Sequence, residues 1–290
     1  MLNLFLVKTL LTVVRTKSFR STAETLGLSQ PAVSQHIRRL EEELEVTLIR
    51  RDRRGCEPTP AALAFLPFAE RALRMSERAK AAVKLNQLRI GAGSNIGIYI
   101  LQPLLKSFMD AHPGLDLNIV VDRNPAIAER LETADLDLAL MEWWDGRSGF
   151  SSLEWRREPV VLIVPPGHPL SRRRTITRKE LIGAPMLGGE PGTGTGRLLQ
   201  TYFGPGATPI VRMQLGSTEA VKQAVAAGLG ISLVLASAVR RETAAGELCA
   251  IPFADPAPVK DLYAIWPKFI APPDRPPAFV RHLLHNSSLS

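Results

Sequence analysis

Polar side chains at helical spacing between residues 29 and 39 are the first candidates for chemistry in this 290-residue chain. Gln, Ser and Arg side chains are of the kind that hydrogen-bond to base edges and phosphates of DNA. The apolar residues between them, Val33, Ile37, Leu40 and Leu44, recur at helical spacing, which leaves the polar residues on the opposite face of one helix. The candidates for DNA contact on this face are Gln30, Ser34, Gln35 and Arg38.

This helix needs a partner helix and a tight turn to hold it, and the sequence predicts both. Ser18 is placed to cap a short helix over residues 19–26, and Gly27 supplies the left-handed conformation that ends it. Ser29 is placed to cap the second helix, with Pro31 in its first turn. Two helices joined by a glycine turn form the helix-turn-helix pattern. The alternative is an ordinary helical hairpin whose polar face is solvated.

A group of arginines follows the second helix, in the turn of a short β-hairpin that is predicted to begin near Val46. Its members are Arg50, Arg51, Arg53 and Arg54. A basic hairpin beside a helix-turn-helix forms a wing that enters a minor groove or clamps the DNA backbone. We therefore add Arg51, Arg53 and Arg54 to the DNA-binding candidates, the alternative being a solvated charged turn.

The distribution of charge supports a nucleic-acid partner for the first part of the chain. The net charge is +8. Residues 1–87 hold 15 Lys or Arg against 9 Asp or Glu, and the other 203 residues hold 21 against 19. The positive excess is therefore concentrated around the predicted helix-turn-helix, as expected of a module that binds DNA.

Composition also excludes several classes of protein. There is no run of about 18 apolar residues, so we expect no membrane span. The apolar N-terminus lacks the basic region and cleavage site of a signal peptide, and we expect a cytoplasmic protein. Cys56 and Cys249 share no spacing that indicates a disulfide framework or a metal site.

The pattern along the chain predicts three parts. Residues 1–58 form the DNA-binding domain, and residues 59–87 form a linker and dimerisation helix that Thr59 caps and that Pro67 kinks or unwinds. From residue 88 strands and helices alternate, which predicts an α/β domain over residues 88–290. Its first part, up to Met141, reads as βαβαβ and predicts a parallel sheet. Two crossings of the chain, near residues 163–165 and 265–268, would divide it into lobe I (88–163 and 268–290) and lobe II (164–267).

Three loops with small polar residues precede predicted helices in the α/β domain. Because such loops lie at the carboxyl ends of parallel strands and helix N-termini favour anions, they predict a cleft for a carboxylate or another anion. The candidate residues are Ser94, Asn95, Thr193, Thr195, Ser217 and Thr218. The alternative is that these side chains only cap helices. Trp143 and Trp144, after the third strand, either line the cleft or pack in the core.

The sequence contains no catalytic arrangement that we recognise. The five histidines are scattered, and His36 in the second helix either contacts a phosphate or is solvated. The run from Gly91 to Gly97 resembles a loosened dinucleotide fingerprint, but its last glycine is one residue late. The glycine-rich loop at 188–196 lacks the Gly-Lys-Ser/Thr ending of a phosphate-binding loop. We expect no enzymatic activity, no cofactor and no metal; a nucleotide-dependent enzyme is the main alternative.

Several motifs together resemble the LysR-type transcriptional regulators along nearly the whole chain. In the first part they are Ser29-Gln30-Pro31-Ala32-Val33-Ser34, with Arg51 and Thr59 further on. In the second part they are Leu101-Gln102-Pro103-Leu104-Leu105, Pro191-Gly192-Thr193-Gly194-Thr195 and Gly216-Ser217-Thr218-Glu219-Ala220-Val221.

The resemblance implies an α/β protein with an N-terminal all-α winged helix-turn-helix and a two-lobed effector domain similar to periplasmic binding proteins. It further implies sequence-specific binding to double-stranded promoter DNA, controlled by a small-molecule effector between the lobes. By the same resemblance Pro31 joins Gln30, Ser34 and Arg38 among the residues that read or hold the major groove. Such regulators act as homo-oligomers, either dimers or homotetramers. A regulator that binds DNA but has no physiological ligand remains an alternative.

The chain departs from the family pattern at a few positions. Glu45 stands where a glycine commonly ends the recognition helix, so either a left-handed residue is strained by about 1 kcal/mol or the turn differs. Lys17 also replaces a usual glycine. Gly189 stands where an arginine often precedes Glu-Pro-Gly, which leaves the charge of the effector open.

Overall fold

The computed structural model describes residues 2–52, 55–82, 87–188, 194–204, 206–207, 209–254 and 256–286. Side chains are described for these residues except 51, 52, 55, 78, 81, 82 and 194–197. The chain forms two compact units that divide near residue 85. Among the helices of the described ranges, none has the length and apolar character needed to cross a membrane.

The first unit is a small helical domain with a β-hairpin. Its elements are α1 (Leu4–Thr16), α2 (Phe19–Leu26), α3 (Gln30–Leu44), β1 (Ile49–Asp52), β2 (Gly55–Pro58) and α4 (Pro60–Ala82). Leu10 and Val13 of α1 pack with Val33, Ile37 and Leu40 of α3 in one buried cluster. This core confirms the predicted helix-turn-helix, since the apolar face of α3 is buried as its spacing indicated. The helix α4 continues through Pro67, so the predicted unwinding is absent.

Two helices of this unit end on residues in the left-handed conformation that are not glycine. Lys17, after α1, has φ 52°, and Glu45, after α3, has φ 54°. The N–H of Glu45 donates to the carbonyls of Glu41 and Glu42, which are the interactions of a helix C-cap. The backbone at Glu45 therefore has the left-handed conformation that a glycine would adopt, although the side chain makes this conformation strained.

This strain predicts a stabilising substitution. Replacing Glu45 with glycine is expected to raise the free energy of unfolding by about 0.5–1 kcal/mol, because it removes a left-handed Cβ and leaves an exposed position otherwise unchanged. The matched control is Glu42→Gly inside α3, which we expect to lower it by about 1 kcal/mol. Urea titration of both variants checks the result, and equal destabilisation by both would contradict the strain at Glu45.

The second unit begins with the parallel βαβαβ segment that the sequence predicted. It comprises β3 (Gln87–Gly93), α5 (Ser94–Tyr99), α6 (Leu101–Ala111), β4 (Asp116–Asp122), α7 (Asn124–Glu132) and β5 (Leu138–Met141). Strand β3 pairs in parallel with β4 on one side and β5 on the other. Two helices separated at Ile100 follow β3, and the first of them starts directly after the strand.

The rest of the unit completes this sheet and builds a second lobe. The remaining strands are β6 (Phe150–Val164), β7 (Pro185–Gly188), β8 (Ile210–Gln214), β9 (Ser232–Leu235), β10 (Cys249–Ile251) and β11 (Val259–Pro267). The remaining helices are α8 (Gly194–Phe203), α9 (Thr218–Ala226), α10 (Arg240–Ala244) and α11 (Ala278–Asn286), with 3₁₀ turns at Arg178–Leu181 and Ala236–Val239. Lobe I has the strand order β4-β3-β5-β11-β6, and β6 continues into lobe II, where it pairs with β9 and β10.

The two crossings between the lobes lie earlier in the chain than predicted. Residues 150–159 of β6 pair with the whole of β11 in lobe I, whereas residues 160–164 pair in lobe II. The chain therefore crosses at Pro159–Val160 and again beside Pro258, whose carbonyl accepts from Val160 N at 2.8 Å. The first half of this long strand was not predicted because it contains four charged residues, Glu154, Arg156, Arg157 and Glu158.

Candidate functional site

The helix α3 presents its polar face on the surface of the first unit. Gln30, Pro31, Gln35 and Arg38 are exposed and Ser34 is half-buried, while Val33, Ile37 and Leu40 on the other face are buried. Ser29 caps the helix through a hydrogen bond from Ala32 N at 3.3 Å, and Pro31 lies in its first turn. The five predicted DNA-contacting side chains of this helix therefore occur together on one accessible face.

His36 lies on a different side of α3 from these residues. Its Nδ1 is 3.0 Å from the hydroxyl of Thr9, and its ring packs edge-on against Phe5 at 5.3 Å between centroids. Both partners belong to α1. His36 therefore joins two helices of the domain, which the sequence alternatives of a phosphate contact or a solvated edge did not include.

The hairpin after α3 is held to that helix by a carboxylate that sequence reasoning missed. Strands β1 and β2 pair antiparallel as predicted, with Arg51 opposite Cys56. Glu41 Oε1 accepts hydrogen bonds from Leu48 N at 2.8 Å and Ile49 N at 3.1 Å, at the start of β1. The side chain of Arg51 and the whole of Arg53 and Arg54 lie outside the described residues.

Removing the Glu41 carboxylate is expected to loosen the hairpin from the recognition helix. Glu41→Ala leaves two backbone N–H groups without their acceptor, which costs about 1–3 kcal/mol of the free energy of unfolding. Glu42→Ala, one residue further on the exposed side of α3, is the matched control with an effect within about 0.5 kcal/mol. Hydrogen exchange at Leu48 and Ile49 measures the effect locally, and unchanged protection in Glu41→Ala would exclude this role.

In the second unit, two of the three predicted loops meet across the lobes. Thr218 Oγ1, at the start of α9 in lobe II, donates to Asn95 Oδ1 in lobe I at 2.8 Å. Ser217 caps α9 by accepting from Ala220 N at 3.1 Å. Ser94 is the first residue of α5 and half-buried. Thr193 lies outside the described residues, and of Thr195 only the backbone, in α8, is described.

Beneath this contact lies a buried ion pair. Glu142, directly after β5, accepts from Asn95 Nδ2 at 2.7 Å and pairs with Lys260 Nζ of β11. The side chains of Glu142 and Lys260 are each 2% exposed. A hydrogen-bonded chain thus runs from Lys260 through Glu142 and Asn95 to Thr218, and it joins the floor of lobe I to the first turn of α9.

A second group of contacts joins the same helices beside this chain. Tyr99 Oη donates to Glu219 Oε2 at 3.2 Å, and Lys222 Nζ lies 2.7 Å from Glu219 and 4.8 Å from the centre of the Tyr99 ring. Burial raises the pKa of Tyr99 to about 12. Burial opposes the charge of Lys222, but its hydrogen bonds with Glu219 and Glu242 outweigh this and raise its pKa. The ammonium group therefore stays charged at neutral pH.

One tryptophan after β5 packs inside lobe I. The Trp144 ring lies edge-on to Phe150 at 5.7 Å, and the guanidinium of Arg147 lies 5.2 Å from the Trp144 centroid. Of the two alternatives for Trp144, lining the cleft or packing in the core, the structure therefore shows packing. Glu142, two residues earlier, carries the polar contact at this strand end. Its position at the carboxyl end of a parallel strand was a signal that sequence reasoning could have used.

Both units match known protein-family models. The model described as "Bacterial regulatory helix-turn-helix protein, lysR family" matches residues 4–63. The model described as "LysR substrate binding domain" matches residues 82–288. The second match alone covers well over half of the chain.

Curated relatives and solved structures agree with these models. A putative HTH-type transcriptional regulator, PtxE of Stutzerimonas stutzeri, is 47% identical over 196 residues, which is 67% of this chain and all of that protein. The HTH-type transcriptional regulator CbbR of Sinorhizobium medicae is 31% identical, with 86% of this chain and 82% of that one covered. A full-length OxyR variant from Pseudomonas aeruginosa shares the fold with a TM-score of 0.72 at 22% identity, covering 100% of this chain and 95% of its own. CbnR in complex with its target DNA gives a TM-score of 0.59 at 20% identity, covering 99% and 100%.

Proposed function

The chain belongs to the LysR family of transcriptional regulators, and from this premise we propose which of its residues contact DNA and which bind the effector. It is a DNA-binding regulator with a helix-turn-helix domain and an effector-binding domain. We assign the DNA-binding domain to residues 1–58, the linker helix to 59–87 and the effector domain to 88–290. The protein acts on promoter DNA in the cytoplasm.

For DNA, we propose that α3 enters the major groove with its exposed face. The supporting observation is that Gln30, Gln35 and Arg38 are exposed on one face of a helix whose other face is buried. Arg38 is suited to a bidentate contact with a guanine edge, and Gln30 and Gln35 to adenine. Pro31 and Ser34 bring the helix N-terminus close to the backbone. In the wing, Arg51, Arg53 and Arg54 add phosphate contacts that hold the register.

For the effector, we propose the cleft between the lobes at the Asn95–Thr218 contact. The candidate ligands are Ser94, Asn95, Thr193, Thr195, Ser217 and Thr218. The observation that carries this proposal is the hydrogen bond between Thr218 and Asn95, because it joins both lobes through side chains that a ligand can also bond. An effector that inserts here replaces the hydrogen bond between Thr218 and Asn95 with its own hydrogen bonds to these side chains. It thereby changes the angle between the lobes.

We propose that this effector is a carboxylate or another small anion. The first N–H groups of a helix have no intrahelical acceptor and carry a partial positive charge, and Thr218 lies at that end of α9. Lys260 contributes a positive charge to the floor, although Glu142 balances it. The free energy of binding the anion therefore comes mainly from hydrogen bonds and from the N-terminus of α9, and less from a side-chain cation.

Thr218→Val is expected to abolish the effector response. A ligand at one hundred times its dissociation constant stabilises the fold by about 2.7 kcal/mol, and this gain should disappear when the hydroxyl is lost. Thermal unfolding with phosphate, sulfate, acetate and succinate measures it, with Thr218→Ser as the control that keeps the hydroxyl. A full ligand shift in Thr218→Val would remove Thr218 from the site.

We propose that this protein, like other members of the family, forms homo-oligomers, in which two dimers associate into a tetramer. Solved structures that share the fold include full-length CbnR in complex with its target DNA. A helix-turn-helix protein needs two half-sites, which a dimer supplies through the linker helix α4.

A further inference from the structure

Lobe II carries a concentrated basic surface that lies outside both proposed sites. It consists of five exposed cations within eight residues, which we call the basic segment: Arg172, Arg173, Arg174, Arg178 and Lys179. Residues 88–290 hold 21 Lys or Arg against 19 Asp or Glu, a net charge of +2. Residues 171–180 contribute 5 of these cations and 1 of the acids, so 16 against 18 remain elsewhere, a net charge of −2. The positive charge of the effector domain therefore comes from this one segment.

The backbone of the basic segment is fixed to the rest of lobe II. Ile176, near its centre, is fully buried, and its N–H donates to Pro252 O at 2.9 Å while its carbonyl accepts from Ala254 N at 2.8 Å. Arg178 Nη1 donates to Tyr202 O at 2.8 Å, which joins the 3₁₀ turn to α8. Because the backbone is already held, a partner that binds the segment has to immobilise only side chains, which lowers the entropic cost of binding.

Three of the cations can bind an anion from outside the domain without breaking an ion pair. Glu180 is the one acid of the segment, and its carboxylate pairs with Arg173 at 3.1 Å. Among the residues that the structure describes, no carboxylate pairs with Arg172, Arg174 or Lys179. All three are exposed. Their charges are therefore directed to the solvent rather than used within the fold.

The residue types of the segment match a phosphate backbone better than a protein surface. Arginine binds phosphate oxygens through two parallel N–H groups, and the hydroxyls of Ser171 and Thr175 beside the arginines are also common phosphate donors. A protein interface is centred instead on apolar and aromatic anchors. Between residues 171 and 180 the one apolar side chain is that of Ile176, and it is buried. The segment itself therefore offers a protein partner no exposed apolar anchor.

We propose that the basic segment of lobe II binds the phosphate backbone of the DNA that flanks the half-sites bound by α3. The helix-turn-helix domain of the same chain holds the DNA, so the flanking phosphates are present at a high effective concentration and a few weak contacts suffice. Arg172, Arg174 and Lys179 form these contacts. They carry no sequence information, because phosphates are the same at every position of the DNA. They increase the affinity for long DNA and its dependence on salt.

Fluorescence anisotropy of the full-length protein at a series of salt concentrations tests this contact. One DNA fragment is trimmed to the half-sites, and a longer one continues for several helical turns on each side. The test variant combines Arg172→Gln, Arg174→Gln and Lys179→Gln. On the longer fragment, the slope of the logarithm of the binding constant against that of the salt concentration should become shallower by about two to three units, since each phosphate contact contributes about 0.9. On the trimmed fragment the variant should bind like wild type, which also shows that it is folded.

A triple variant in lobe I separates a local contact from a general effect of charge. It combines Lys106→Gln, Lys268→Gln and Arg275→Gln, which removes the same charge from exposed positions, and it should bind both fragments like wild type. Arg38→Ala should weaken binding to both fragments, so a failure of the α3 contact is distinguishable from a failure of the basic segment.

The inference is overturned if the lobe II variant keeps the wild-type slope on the longer fragment, or if its slope changes equally on both fragments. It is also overturned if the lobe I variant changes the slope as much as the lobe II variant. A lobe II variant that binds all DNA like wild type but no longer regulates transcription in a purified system would overturn it too, since the segment would then bind an acidic protein surface.

Discussion

Replacing Lys260 with methionine is expected to lower the free energy of unfolding by about 3–5 kcal/mol. Lys260 and Glu142 form an ion pair with side chains that are each 2% exposed, so the substitution leaves a carboxylate buried without its cation. Asn95 still donates to Glu142 but carries no charge to balance it. Because Asn95 also bonds to Thr218, we expect the contact between the lobes to weaken as well.

Urea unfolding of the full chain measures this loss, and two further variants interpret it. Lys106→Met breaks an exposed pair with Asp110, whose side chains are 75% and 62% exposed, and should cost less than about 0.5 kcal/mol. The double variant Glu142→Gln with Lys260→Met removes both charges and should recover a large part of the loss. A cost for Lys260→Met as small as that for Lys106→Met would show that the pair is not buried in solution.

Replacing Arg38 with alanine is expected to weaken binding to the operator by about 1–3 kcal/mol, which corresponds to roughly fivefold to 150-fold. Arg38 is exposed on the face of α3 that carries Gln30 and Gln35, where a guanidinium can form two hydrogen bonds with one guanine. The loss on random DNA should be smaller, since random DNA is bound mainly through phosphates.

Fluorescence anisotropy with an operator fragment and a scrambled fragment of equal length measures both losses at one salt concentration. Lys106→Ala in the effector domain is the control for a lost surface charge and should leave both affinities unchanged. An equal loss on both fragments would make Arg38 a phosphate contact, and no loss on either would remove it from the interface.

The helix-turn-helix was predictable because its signals are local. Ser18, Gly27 and Ser29 cap or end helices within a few residues of where they stand, and the spacing of Val33, Ile37 and Leu40 defines the buried face. Such signals depend on backbone geometry that neighbouring residues determine. The parallel segment from β3 to β5 was predictable for the same reason, since strands and helices alternate without long insertions.

The interior of the effector domain was only partly predictable. Ser94, Asn95, Ser217 and Thr218 were predicted as effector-binding candidates because they lie at the starts of helices, and this role stays a prediction. The partners of Asn95 were not found, since Glu142 is 47 residues away and Thr218 is 123 residues away along the chain. Only the folded sheet brings Lys260 of β11 beside Glu142, so no spacing could indicate the pair. The lobe boundary was missed because β6 continues from lobe I into lobe II as one long strand.

Glu45 illustrates a prediction that the sequence left as two alternatives. Either the left-handed turn persisted with strain or the turn changed, and the φ of 54° shows that it persisted. Contacts outside the turn decide between the two alternatives. The buried face of α3 fixes the position of the helix, and Val46 N donates a hydrogen bond to Glu41 O at 3.1 Å just after the turn. The buried face of α3 and this hydrogen bond together therefore outweigh the unfavourable backbone conformation of Glu45.

The most direct test of the whole account is a DNase footprint of the purified full-length protein on the DNA upstream of its own gene. The footprint is recorded with and without the small-molecule fraction of a cell extract, and Arg38→Ala is run in parallel. We predict protection over several helical turns that shortens or shifts when the extract is added, and that fades in Arg38→Ala. The account is contradicted if the protein protects no fragment at low salt, or if Arg38→Ala and wild type give the same footprint.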